Sequence, residues 1–154
     1  QSVLDTYGCC VAGSLIPGTE KFGMLPEKLM EDLLYLADEI LIEADGSAHM
    51  PVKAPAEHEP VLFPYMDEVV IVMGAHAIGK PLMEVCHRVD YAKELLKCDA
   101  DKIVTAADIE TLAEQGYAIP IQKQFPWMKI SKVTGKDIKL CLTAEKKDKV
   151  RDKQ

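Results

Sequence analysis

Two apolar runs, Ile40-Leu-Ile42 and Val69-Val-Ile-Val-Met73, bracket the stretch that most restricts what this chain can fold into. Neither run alternates with polar residues, and short continuous apolar runs are the mark of parallel strands covered on both faces. Between them, Ala44 to Met66 carries Pro51, Pro55, Pro60 and Pro64. Each proline removes a backbone donor and fixes φ, so this span is expected to be an ordered, irregular excursion rather than helix or sheet interior. Loops of this length inside compact domains are usually functional or disordered, and the rigid prolines favour function. All four histidines, His49, His58, His76 and His87, lie between Glu39 and Arg88, as do five of the nine prolines. Chemistry is expected here.

The flanking segments alternate between strand and helix patterns. Residues 9–16 read as a first strand, ended by Pro17-Gly18. Pro26 suits the first position of a helix, Glu27 its first turn, and Leu29, Leu33 and Leu36/Ala37 recur at helical spacing, predicting a helix over 26–37. Pro81 opens a second helix whose stripe is Leu82, Val85/Cys86, Val89, Ala92 and Leu96. Thr105 reads as the N-cap of a third, which Gly116 is expected to end as a C′ residue. Residues 117–136 carry no clear pattern, and Ile138-Lys-Leu-Cys-Leu142 predicts a last strand. The alternation argues an α/β domain with a mostly parallel sheet and flanking helices over 1–142, followed by a charged tail over 143–154.

Composition excludes several classes. A net charge of −7 leaves no basic face for nucleic acid. No apolar run approaches the roughly 20 residues of a membrane span, and no signal-peptide pattern is present. The five cysteines show neither C-x-x-C nor metal-site spacing, which suits buried thiols in a reducing cytoplasm and predicts no structural metal.

Four constellations carry candidate chemistry. Glu43-Ala-Asp45-Gly46 follows an apolar run, and acids at the carboxyl end of a strand can hold Mg²⁺ while the glycine lets backbone approach phosphates; Asp-Gly is equally a common turn. Lys53 with Glu57-His58-Glu59 gathers a cation, two acids and an imidazole within seven residues. It reads as an acid–base or phosphate-contacting loop more readily than as a metal site, because close neighbours in a loop seldom converge on one ion. Gly74-Ala-His-Ala-Ile-Gly79-Lys80 fits G-x-x-x-x-G-K, but Pro81 offers no hydroxyl for Mg²⁺ and disfavours helical geometry at Lys80, so it is read as a strand-to-helix turn. His87-Arg88 sits off the apolar stripe of the second helix.

Taken together, Leu41-Ile-Glu-Ala-Asp-Gly-Ser47, Lys53-Ala-Pro-Ala-Glu-His-Glu-Pro60, Gly79-Lys-Pro-Leu82 and Cys86-His-Arg88 resemble the YqeC family, whose members are regarded as accessory proteins of selenium-dependent molybdenum hydroxylases. The resemblance covers most of residues 13–115 and fades beyond Gly116. It implies a P-loop-type fold whose phosphate-binding Gly-Lys-Thr loop lies upstream of the residues seen here, so that this chain is N-terminally incomplete and inactive alone. It further implies that Glu43 and Asp45 serve catalysis and Mg²⁺. Gly46, Ser47, Lys53, Glu57, His58, Glu59, His87 and Arg88 would then contact nucleotide or cargo. Where the family carries a base-reading Asn-Lys/Gln-x-Asp element, this chain has Thr143-Ala-Glu-Lys-Lys-Asp148, which leaves ATP, GTP and CTP undecided. The implied function is maturation of a molybdenum–selenium hydroxylase driven by Mg-nucleotide. The alternative is a non-catalytic module that recognises the apo-hydroxylase or a pterin-type cofactor through the proline-rich loop 49–64.

Overall fold

The computed structural model describes residues 2–134. The strand expected over 138–142 and the charged tail after it lie outside the described residues. The backbone divides into two units, one ending at Glu43 and the other starting at Ala44.

The first unit holds helix α1 (Ser2–Tyr7), strands β1 (Ser14–Leu15) and β2 (Phe22–Gly23), and helix α2 (Glu27–Leu36). Only Ser14 and Leu15 of the expected first strand pair, and they do so in an antiparallel hairpin with Gly23 and Phe22. Gly18, at φ +77°, makes the turn between them. Helix α2 begins one residue after Pro26, as its sequence dictates, but its buried residue is Met30, beside the expected stripe, while Leu29 is half exposed. Ile40–Ile42 is not a strand, and Leu41 is 88 % exposed. An apolar run becomes a strand only when a neighbour takes its N–H and C=O groups, and among the described residues this one has no ladder partner.

The second unit contains strand β3 (Val52–Lys53), strand β4 (Glu68–Met73), a 3₁₀ turn at Ala75–Ala77, helix α3 (Leu82–Val85), strand β5 (Cys86–His87) and helix α4 (Val89–Leu96). Helix α5 (Ala106–Thr111) then runs through a π-helical turn (Leu112–Ala118) into α6 (Ile119–Gln124), and strand β6 (Lys129–Thr134) closes the described chain. Both strand pairs here are parallel: β4 with β6 from Glu68↔Lys129 to Met73↔Thr134, and β3 with β5 through Val52↔Cys86 and Lys53↔His87. Helices connect each pair, as parallel strands require. Helices and parallel pairing are compatible with an α/β architecture, but among the described residues the strands form three separate two-stranded sheets, β1–β2 antiparallel, rather than the one mostly parallel sheet expected.

Two helical expectations are corrected. The helix opened by Pro81 does not run through to Leu96. Cys86 and His87 turn their backbone to β3, Arg88 takes the left-handed conformation (φ +62°), and α4 starts afresh. The apolar stripe was nonetheless the right face, with Leu82, Val85, Cys86 and Ala92 all buried. Gly116 does not stop the third helix either. It lies inside the π turn, and its missing side chain lets Pro55 approach, since a Cβ there would sit 3.1 Å from Pro55 Cδ. Pro120 cannot donate a bond to the carbonyl of Gly116, and its ring crowds the preceding turn, which the wider i→i+5 spacing relieves. Thr105 does begin α5, through a reciprocal capping box with Asp108.

The core joins Val52 and Ala54 to Ile71 and Met73 of β4, Leu82 and Val85 of α3, and Leu112 of the π turn. Gly74 ties the end of β4 to the irregular loop: its N–H donates to the Pro51 carbonyl at 2.7 Å. A Cβ at Gly74 would lie 2.7 Å from His76 Cε1 and 2.9 Å from both Pro51 Cβ and Pro51 O. Gly74→Ala is therefore expected to lower stability by about 1–3 kcal/mol in urea denaturation, as overpacking does; an unchanged midpoint would show that Pro51 can yield.

Candidate functional site

The site is built on Lys53. It sits in β3 with its side chain 5 % exposed, because the pairing of Val52–Lys53 with Cys86–His87 draws both residues inward. A buried ammonium needs acceptors for its three protons. Lys53 Nζ finds them in Asp45 Oδ1, in the Gly46 carbonyl at 2.8 Å, and in Glu59 Oε2 at 2.9 Å. Its charge thereby holds the two ends of the loop together.

Each carboxylate is engaged again on its other side. Asp45 Oδ2 accepts from the Tyr117 hydroxyl at 2.6 Å. Glu59 takes a bidentate pair from Arg88, Nε to Oε2 at 3.1 Å and Nη2 to Oε1 at 3.0 Å, and the Ala56 N–H reaches Oε2 at 3.0 Å. Two carboxylates face two cations, so the cluster is neutral overall. Burial by itself raises the Glu59 carboxyl, but the Ala56 amide, Lys53 and Arg88 outweigh it and hold Glu59 down at about 2. Burial, then the bond to Asp45, pushes the Tyr117 phenol well above its ordinary value, and Arg88 is raised by Glu59. Cys86, beside Lys53's strand partner, is pushed up to about 11 by burial, against a lowering contact from Ala54, and is an inert thiol.

Backbone strain concentrates here too. Ala48 (φ +52°), His49 (φ +63°) and Arg88 are non-glycine residues in the left-handed region. The first two form the turn closed by Met50 N–H to Ser47 C=O at 3.0 Å. Such residues cost about 1–3 kcal/mol each and persist where the surroundings fix them.

Of the residues singled out from sequence, Asp45, Gly46, Lys53, Glu59 and Arg88 meet in this one cluster. Glu57 and His58 instead are exposed and, with Glu59, Pro60, Leu62, Pro120 and Gln124, line a groove of ≈ 320 Å³. Glu43 is exposed at the end of the first unit, Ser47 sits in the turn, and His87 contributes its backbone to β5. Tyr117 went unread in the sequence because Gly116 looked like a helix end. The signal available was Pro120, a residue that reshapes a helix without ending it.

The expected Mg²⁺ ligands fit poorly in this arrangement. Both Asp45 oxygens already accept bonds, and an ion there would meet the Lys53 ammonium at the same oxygen. Among the described residues no group of three or more His, Cys, Asp or Glu could hold a metal ion. No helix among them is long and apolar enough to cross a membrane.

The Glu59 shift has a pH signature. Its folded value lies below the ordinary 4.5, so its stabilisation is present above about pH 4.5 and is lost as pH falls towards 2. With solvent screening this amounts to about 1–2 kcal/mol. Stability of the unsubstituted chain should fall across that window in urea titrations, whereas Glu59→Gln should flatten the profile and cost roughly 3 kcal/mol at pH 7. Parallel profiles would contradict the assignment.

No solved structure matches the chain. A relative in Escherichia coli (strain K12), described as "Uncharacterized protein YqeC", is 41 % identical over 76 residues, covering 49 % of this chain and 30 % of that protein. The chain thus spans under a third of the curated relative it matches. The family model described as YqeC protein matches residues 1–90, and the chain belongs to the YqeC family.

Proposed function

We propose that this chain is the recognition part of a maturation factor for a selenium-dependent molybdenum hydroxylase, binding the apo-hydroxylase through loop 49–64 without turnover. One observation carries the reading: Asp45, Lys53, Glu59, Arg88 and Tyr117 satisfy one another, while the intervening Glu57 and His58 face outward. A neutral, saturated cluster is suited to fixing a loop's shape, and a fixed loop loses little entropy when it binds. The family's resemblance to hydroxylase accessory proteins supplies the partner.

A second reading keeps nucleotide chemistry. The parallel pairing of β4 with β6 suits a P-loop-type sheet, and Gly46 is exposed beside Asp45. In that reading ATP, GTP or CTP would bind beside Gly46, and Glu43 would serve the attacking water.

The two are separated by capture of apo-hydroxylase on the immobilised chain. Nucleotide-free capture, weakened at least 10-fold by His58→Ala and unaffected by Glu43→Gln, is the expected outcome. Capture that requires Mg-nucleotide and is lost in Glu43→Gln would replace the first reading with the second.

A further inference from the structure

Two thiols stand side by side in the first unit. Cys9 and Cys10 are both free and exposed, whereas Cys86 is buried and Cys98 is partly covered. The burial expected of the cysteines therefore does not extend to this pair. Neither residue belongs to a helix or strand: they lie between α1 and β1, directly after Gly8 at φ +72°. Burial raises the Cys98 thiol, as it does Cys86, which leaves both less ready to form the nucleophilic thiolate.

Adjacency decides what the exposed pair can do. Consecutive Cα atoms are about 3.8 Å apart, whereas a disulfide prefers a separation of about 4.4–6.8 Å. A bond between these two sulfurs would be strained, and strained disulfides are readily reduced. The pair therefore persists as a dithiol, with two soft donors fixed within one dipeptide. Once one sulfur has bound a thiophilic centre, the other is held beside it at high effective concentration. Zinc is a poor occupant, because its closed sites take four ligands. Among the described residues no group of three or more His, Cys, Asp or Glu could supply them. The chelate ring runs through a single peptide group, which suits a bent centre better than a linear one.

We infer that Cys9 and Cys10 form a bidentate site for a trivalent, thiophilic centre of the monosubstituted arsenical class. Both thiols add to the oxide form of such a centre. Two arsenic–sulfur bonds form, the arsenic–oxygen bond breaks, and the oxygen leaves as water carrying the two thiol protons. Arsenic stays trivalent, so no oxidant or reductant takes part. The site is independent of the reading of loop 49–64.

Phenylarsine oxide is the probe, titrated into the full chain kept reduced with a phosphine. One equivalent should bind and remove two thiols from a free-thiol count. Cys9→Ser and Cys10→Ser should each weaken binding by about 100-fold or more, the advantage a tethered second donor confers. Cys98→Ser and Cys141→Ser should leave it unchanged. A small dithiol such as dimercaptopropanol should release the probe, and a monothiol at the same concentration should not. No binding, binding that survives in either Cys9→Ser or Cys10→Ser, loss of a single thiol, or dependence on Cys98 or Cys141 would overturn the inference.

Discussion

A buried ammonium with three acceptors is the interaction on which the second unit depends. Lys53 could not be 5 % exposed without Asp45, Gly46 and Glu59 around it, since an unpaired buried charge costs several kcal/mol. Satisfying it bends residues 45–59 back upon themselves. The same acids then reach outward, Asp45 to Tyr117 in the π turn and Glu59 to Arg88 between β5 and α4. One charge thus joins the loop to two elements remote in sequence.

The strain around the cluster follows from that geometry. Arg88 must leave β5 and aim its guanidinium at Glu59 before α4 begins, and the left-handed backbone makes that change of direction in one residue. The turn at Ala48 and His49 likewise reverses the chain between Asp45 and Lys53. A buried ion pair often adds little net stability over apolar packing, so its value here lies in specifying one loop conformation. Glu57 and His58 sit between Lys53 and Glu59, and their outward placement is set by the residues on either side.

How much of this was legible in the sequence varied with how local the cause was. Strand β4, helix α2 and the start of α5 depend on nearby residues, namely five consecutive apolar side chains, a proline with an acid after it, and a Thr–Asp capping pair. Their positions follow from these local signals, but β4 is not covered on both faces as its unbroken apolar run implied: Val70 and Val72 are 46 % and 64 % exposed, while Ile71 and Met73 are buried. Ile40–Ile42 has the same apolar character as β4 but no partner strand among the described residues, a fact no local pattern contains. The break at Cys86–His87 arises because β3 takes their backbone, again a distant cause. At the site, Asp45, Lys53, Glu59 and Arg88 stood out as unusual polar residues, but the sequence could not say that they would pair with one another. Tyr117 was hidden because a helix that widens at Gly116 and one that ends there look alike until Pro120 is weighed.

The account's central claim is that Lys53 holds the loop and the π turn as one structure. Amide hydrogen exchange on the unsubstituted chain and Lys53→Met measures this directly. With the ammonium gone, Asp45 and Glu59 repel and Tyr117 loses its fixed acceptor, so residues 44–60 and 112–118 should lose protection together while β4 and β6 keep theirs. Loss confined to the residues adjoining position 53, with the π turn unchanged, would contradict it.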